Sequence, residues 1–331
     1  MLDRPTERLA RPYSGETYYD RAPLKPAHWD WTVSSYIFLA GLGGAAQGLA
    51  TLARFADARQ FAGLVRNARH LGTAASALGA ALLVLDLKTP GRWYNMLRIV
   101  RPTSPMSFGS YILTAFGGLS AFTSFSEMVG RRGLVGRMLA RLAGIAQIGA
   151  GVTGAGASTY TASLLSATSS PFWAATPRHL GVMFGTSAVA CAAAALSLGE
   201  RWAGRHASGR RLDDIAFFAT AAHLLASLSW TRRLKREGIP EAVTSSPSGR
   251  TLNTGEMLVA GAVPLAAYAL NRVATSNRDP ALSVIGSVAI LAGGLMLRHG
   301  ALGLGKETAE QPRTYFGRAQ PAESPRLRDG R

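Results

Sequence analysis

The sequence predicts an all-α, polytopic membrane protein of about eight transmembrane helices. Three observations carry that expectation. Only 17% of the residues are charged while 47% are hydrophobic, and an average soluble domain carries roughly 25% charge, so a water-facing shell is thinly supplied. The charges leave long uncharged tracts, and a hydrocarbon core about 30 Å thick takes roughly 20 mostly apolar residues per helix. The bases gather between those tracts in short clusters such as "GRRGLVGRMLAR" and "WTRRLKREG", the composition of loops at headgroup level. A nucleic-acid-binding chain of the same net charge, +17, would gather its bases on a groove, an arm or a helix face. No nucleic-acid partner is expected; the partner of these clusters is the lipid bilayer.

The elements follow in order. Residues 1–31 form a polar N-terminal segment with Arg4, Arg8, Arg11, Pro23, Lys25 and Pro26. It holds no apolar core of a cleavable signal peptide, so the first span is expected to direct insertion. Spans are expected at 32–53, 71–87, 106–129, 142–165, 179–198, 213–230, 255–271 and 281–298, the sixth interrupted by His223 and the seventh by Pro264. Within them "AGLGGAAQGLA" sets Gly44 and Gly48 at GxxxG spacing, and "GIAQIGAGVTGAGAS" is nearly all small. Small faces let helix backbones approach closely in lipid, where hydrophobicity no longer drives helices together. The tail from 301 to 331 is polar and rich in proline and arginine, and is expected to be extended over a partner or disordered.

An even number of spans places both termini on one side, side A, with the loops near 88–105, 166–178 and 231–254. Side B carries those near 54–70, 130–141, 199–212 and 272–280. Lysine and arginine are common on both sides, and the short loops give only a slight vote for side B as cytoplasmic.

The stretch "DLKTPGRWYNMLRIVRPTSPMSFGSYIL", Asp86 to Leu113, joins the second span to the third on side A. Helix alternation brings its polar groups to the depth of others: His28, Trp29, Trp31 and Tyr36 at the first span, Asp86 at the end of the second, Arg92, Trp93 and Tyr94 in the loop, Ser107 and Tyr111 on the third, and Tyr160 near the end of the fourth. Pro102 and Pro105 direct the entry into the third span. An acid near a span end costs up to a few kcal/mol unless paired or hydrated, and Arg92 is the expected partner of Asp86. The aromatic residues suit an interfacial belt; a tyrosine or histidine at this depth also suits a quinone carbonyl that needs a hydrogen-bond donor. Glu127 reads either as a proton-transfer group or as a cap beside Arg131 and Arg132. His223 reads as a relay or as an interhelical hydrogen bond. Cys191 stands alone, which excludes intrachain disulfides, cysteine-rich metal sites and iron–sulfur clusters held by this chain alone. With no CxxCH motif and no histidine pair matched in depth, no haem is expected in this chain.

These residues resemble a known family. The Asp86–Leu113 stretch is similar to the loop and serine-proline-methionine-serine helix start of the NrfD-like proteins, the polysulfide-reductase membrane subunits. "YYDRAPLKPAHWDWTVSSYIFLAGLGGAAQGLA" resembles their lead into the first helix, and "YTASLLSATSSPFWA" the end of their fourth, so the likeness covers about 18–198. The resemblance implies eight helices in two four-helix bundles, here 32–165 with the quinone pocket and 166–300. It implies a subunit in the inner, cytoplasmic membrane that binds quinone or quinol, menaquinone or ubiquinone, without a cofactor of its own. The implied partners are a ferredoxin-like iron–sulfur subunit and a molybdopterin oxidoreductase subunit, such as a formate dehydrogenase-like one. The family's quinone place coincides with the side A convergence, so the expected quinone-site residues are Tyr36, His28, Asp86, Arg92, Ser107, Tyr111 and Tyr160, with Asp86, Glu127 and His223, from their depth and charge, as candidates for proton transfer. The chain departs from the family where "DLKTP" has lysine and threonine in place of glycine and arginine, and where Val33 and Tyr36 replace an asparagine and a histidine. Two other classes stay open: a structural anchor without quinone chemistry, and a transporter or proton channel, which would show broken helices matched between the two halves.

Overall fold

A computed structural model describes residues 22–98, 100–101, 103–130, 132–237, 239, 245–273 and 280–319. The described residues form helices and the turns between them: α1 Trp31–Asp57, α2 Ala62–Leu85, α3 Asn95–Arg98, α4 Pro105–Val129, α5 Gly133–Ser166, α6 Pro171–Ala175, α7 Pro177–Trp202, α8 His206–Arg236, α9 Pro247–Ala260, α10 Ala262–Val273, α11 Pro280–Glu310 and α12 Pro312–Ala319. Six of these, α1, α2, α4, α7, α8 and α11, are long and apolar enough to cross a membrane. With the long α5 and the broken pair α9–α10, the architecture is compatible with eight crossings. The chain is an all-α, multi-pass membrane protein.

Local chemistry sets the helix starts. Asp30 caps α1, its carboxylate accepting the Thr32 amide at 2.8 Å. Ser104 accepts the Ser107 amide ahead of α4, and Pro105 takes the first helical position, where its missing N–H costs nothing. Pro102 and Arg131 lie outside the described residues, as do 1–21 and 320–331. The seventh span breaks at Gly261 because the Pro264 ring cannot pass the carbonyl four residues before it, so α9 stops at Ala260 and α10 restarts at Ala262.

The three largest differences from the expected boundaries are these. Helix α2 begins at Ala62 rather than 71, and α5 at Gly133 rather than 142. At the other end of the chain α11 runs to Glu310, and α12 follows to Ala319, where an extended tail was expected. In α2 and α11 the reason is that polar residues read as loop find partners on neighbouring helices: Arg69 meets Glu127, Asn67 meets Glu200, and Lys306 meets the Trp29 carbonyl.

Helix α1 packs against α2 and α5, and α4 bridges α2 and α5, so these four enclose one interior. Helix α7 packs on α8, and α9 on α11; α1 also meets α7 and α11, joining the two groups. On side A the joint is fastened by Trp173 of α6, whose indole donates to the Ala301 carbonyl at 2.8 Å and whose ring stands 5.7 Å from Trp29. Lys306 donates to the Trp29 carbonyl at 2.8 Å, and Ser34 pairs with His299 Nδ1 at 3.1 Å.

The Asp30 cap gives the first prediction. Its carboxyl is held below the usual range, chiefly by the Thr32 hydroxyl. A depressed carboxylate contributes stability that is present above its unfolded pKa and lost as pH falls through the folded one. Asp30→Ala is expected to cost about 1 kcal/mol at neutral pH, with the difference from wild type shrinking once the native carboxyl protonates. Thermal unfolding in detergent across pH checks this; a pH-independent deficit would exclude a charged cap.

Candidate functional site

The interior of α1, α2 and α4 is not filled on side A. A cavity of about 820 Å³, counting its open mouth, lies between them. Its walls come from Tyr36 and Ala40 of α1, the stretch from Ala75 to Val84 of α2, and the stretch from Ser110 to Gly117 of α4. Trp93, Met96 and Leu97, from the turn before α3 and from α3 itself, close it towards side A. The loop is held in that position by Tyr111, whose hydroxyl donates to the Leu97 carbonyl at 2.8 Å. The glycines and alanines of α2 leave the space, and the lining is mostly apolar.

The hydroxyls in the wall are mostly occupied. Ser76 donates to the Thr73 carbonyl, Ser110 to Met106 and Thr114 to Ser110, each within its own helix. Tyr36 differs: its side chain is 5% exposed, it lines the cavity, and among the described residues its hydroxyl has no hydrogen-bond partner. Tyr160 of α5 is its phenolic neighbour. That ring occupies the space over Gly109 of α4, where an added Cβ would stand 1.9 Å from the ring carbon bearing the hydroxyl. The cavity can therefore take a flat, largely apolar molecule with a carbonyl acceptor at its buried end.

The structure divides the expected site residues. Tyr36 lines the cavity, and Tyr111 and Tyr160 shape its boundary. Asp86 caps α2 just beyond Leu83 and Val84 and does not line the cavity. Its expected partner is corrected: among the described residues Asp86 forms no ion pair with Arg92 and instead accepts the Thr32 hydroxyl at 3.2 Å. Thr32 also stands 2.5 Å from Asp30, so one hydroxyl lies between two carboxylates. Arg92 is exposed in the turn Pro90–Arg92, and His28 is exposed ahead of α1. Ser107 accepts the Arg101 amide at 3.1 Å, a bond that shapes the loop. None of these last three lines the cavity.

The deeper ionisable groups also have partners the sequence did not suggest. Glu127 pairs with Arg69 of α2, and not as a cap with Arg132. Arg69 further donates to Gln147 Oε1 at 2.8 Å, and Gln147 donates to Gln47 Oε1 at 2.7 Å, a polar ladder across α2, α5 and α1. His223 of α8 is fully buried; its Nδ1 is 2.9 Å from the Thr186 hydroxyl and its Nε2 3.4 Å from Glu256 of α9. That second contact lacks hydrogen-bond geometry, so neither Glu256 oxygen has a hydrogen-bond partner among the described residues. Arg298 of α11, 2% exposed, donates to the Phe184 carbonyl and Ser187 hydroxyl at 2.9 and 2.8 Å. At the side B turn Arg205 binds Glu200 in a two-pronged pair at 2.8 and 2.7 Å, which raises the guanidinium above its usual range.

Sequence reasoning reached Tyr36 and Trp93 of the cavity wall but missed its α2 and α4 faces, because Ser76, Gly79 and Gly117 look like ordinary small span residues. It also missed Arg69 and Arg298 as interior groups. Glutamines at 47 and 147, isolated in small apolar runs, were the available signal for a buried polar ladder.

No curated protein matches the chain. A family model described as "Polysulphide reductase, NrfD" matches residues 22–308, which span the cavity, the loop over it and both groups of helices. The chain belongs to the NrfD polysulphide reductase family, membrane subunits of oxidoreductase complexes.

Proposed function

We propose that this chain is the quinone- or quinol-binding membrane subunit of an oxidoreductase complex in the inner, cytoplasmic membrane. It exchanges electrons between the quinone pool and a ferredoxin-like iron–sulfur subunit linked to a molybdopterin-type catalytic subunit. The observation that carries the reading is the side A cavity with the unengaged Tyr36 hydroxyl in its wall. The residues present fit such a group: an apolar slot for a ring and isoprenoid chain, and one uncommitted donor for a carbonyl. A quinone supplies two-electron, two-proton chemistry when bound. Tyr36 binds and orients the carbonyl, Trp93 and Leu97 exclude water from side A, and Tyr111 holds that cover in place. Asp86, half-buried beside Thr32 just beyond the cavity wall, exchanges protons with the aqueous face. Glu127, tied to Arg69, serves packing first. His223 with Glu256 is the remaining candidate for moving a proton in the interior. The iron–sulfur partner would cover the 90–98 turn on side A.

The test is quinol-analogue oxidation by the purified complex. Tyr36→Phe is expected to lower quinone-linked turnover by about tenfold to a hundredfold, the worth of one hydrogen bond in a desolvated site, while dye reduction by the catalytic subunit is unchanged. Asp86→Asn is expected to slow turnover less. Full turnover in both variants would make the cavity a packing defect and leave the structural anchor as the function. The anchor reading draws on one observation: Val33, where a second donor would be needed, is buried in the apolar core at 6% exposure.

A further inference from the structure

The side B end of the first four helices holds a second, chemically opposite cleft. It has about 1070 Å³ of open space and is lined by Arg54 of α1, Arg69 of α2, Glu127 of α4, and Arg137 and Arg141 of α5. Four guanidinium groups thus face one carboxylate. That carboxylate is already committed, because Glu127 pairs with Arg69. Among the described residues, Arg54, Arg137 and Arg141 form no ion pair or hydrogen bond. Arg137 and Arg141 stand four residues apart on one helix face, the spacing at which like charges repel most directly. Arg54 is seated against α5 at Gly144, where even a Cβ would stand 2.2 Å from its guanidinium nitrogen. Arg69 is fixed by Glu127 and by Gln147 at 2.8 Å.

Arginines gathered at one helix-bundle end draw a counter-charge, and guanidinium forks match phosphate oxygens in pairs. We infer that this cleft binds a phosphate-type anion. The surface around it favours a phospholipid headgroup as the source. On the same helix, Leu134, Met138, Leu142 and Ile145 are exposed at 68%, 55%, 49% and 70%, a face on which acyl chains can lie. Basic pockets between transmembrane helices are a recognised way to hold anionic headgroups. The site is separate from the cavity on side A and does not depend on its function.

The experiment is native mass spectrometry of the full chain, with its co-purifying subunits, after delipidation. Phosphatidylglycerol, phosphatidylcholine and inorganic phosphate are titrated separately. Arg54→Gln/Arg137→Gln/Arg141→Gln is compared with wild type, and Arg66→Gln/Arg210→Gln/Arg250→Gln, at exposed arginines outside the cleft, serves as an equal-charge control. Wild type is expected to retain phosphatidylglycerol, and the side B triple variant to bind it about 100-fold more weakly, from three cationic contacts. The control variant should bind as wild type does. Saturable binding of inorganic phosphate that the side B variant loses, without lipid retention, would keep the anion site and make its source soluble. Equal retention of phosphatidylglycerol and phosphatidylcholine, or equal loss in both triple variants, would overturn the inference. Circular dichroism of each variant separates loss of the site from loss of the fold.

Discussion

Glu127→Leu is expected to destabilise the protein by about 3 kcal/mol, the lower end of the cost of breaking a buried ion pair by removing one partner. The direction follows from burial. Arg69 has a side chain only 5% exposed, whereas the Glu127 side chain is 26% exposed and reaches water. Removing the acid leaves an uncompensated cation in the interior; removing the base leaves an acid that can hydrate. Arg69→Met should therefore cost less through charge, but it also strips Gln147 Oε1 of its donor at 2.8 Å and loosens the ladder to Gln47. The double variant Arg69→Met/Glu127→Leu should recover most of the charge penalty, giving a coupling of about 1–3 kcal/mol between the sites. Unfolding free energies of all four forms in one detergent measure it. Strict additivity would mean that the two side chains do not form a pair in the membrane.

That pair also explains what was legible in the sequence. Chain alternation across the bilayer follows from the apolar tracts alone, and it brings Tyr36, Asp86, Tyr111 and Tyr160 to one end of the first helices. The space between them was not legible: Gly79 and Gly117 border the cavity through what they lack. The expectation that bases mark loops failed at Arg69 and Arg298 for the same reason. Each guanidinium satisfies its donors on neighbouring helices, so the backbone stays helical through it, and α2 begins nine residues earlier than expected while α11 continues beyond Arg298 to Glu310. Arg92 failed in the opposite sense. It lies close to Asp86 in sequence, but the turn Pro90–Arg92 leaves it exposed while Thr32, distant in sequence, meets the carboxylate. Interhelical polar pairs are set by register between helices, and a single chain's periodicity does not carry that register.

The helix seam beneath the cavity yields the other large effect. Gly44 and Gly48 share GxxxG spacing, yet only one of them is in contact. A Cβ on Gly44 would stand 2.2 Å from the Gly154 carbonyl oxygen, and one on Gly154 would stand 2.6 Å from the Gly44 oxygen, whereas Gly48 has nothing within 4 Å. The seam therefore joins Gly44 to Gly154 across α1 and α5, flanked by Ser158 donating to the Gly41 carbonyl at 3.2 Å and Thr51 donating to the Gln147 carbonyl at 2.9 Å. Gly44→Ala and Gly154→Ala each press a methyl group into backbone, which has no rotamer to yield. A cost at or above the usual 1–3 kcal/mol of overpacking is expected. Gly48→Ala should be neutral or, through helix propensity, stabilising by up to about 1 kcal/mol. Thermal unfolding of the three variants decides it: a destabilised Gly48→Ala beside a wild-type-like Gly44→Ala would place the contact on the other glycine. The seam reaches the cavity as well. Tyr36 lies two turns before Gly44 on α1 and Tyr160 under two turns after Gly154 on α5, so helices forced apart at the seam separate the two phenols. Gly44→Ala should then lower quinone-linked turnover even at temperatures where the protein stays folded, whereas Gly48→Ala should not.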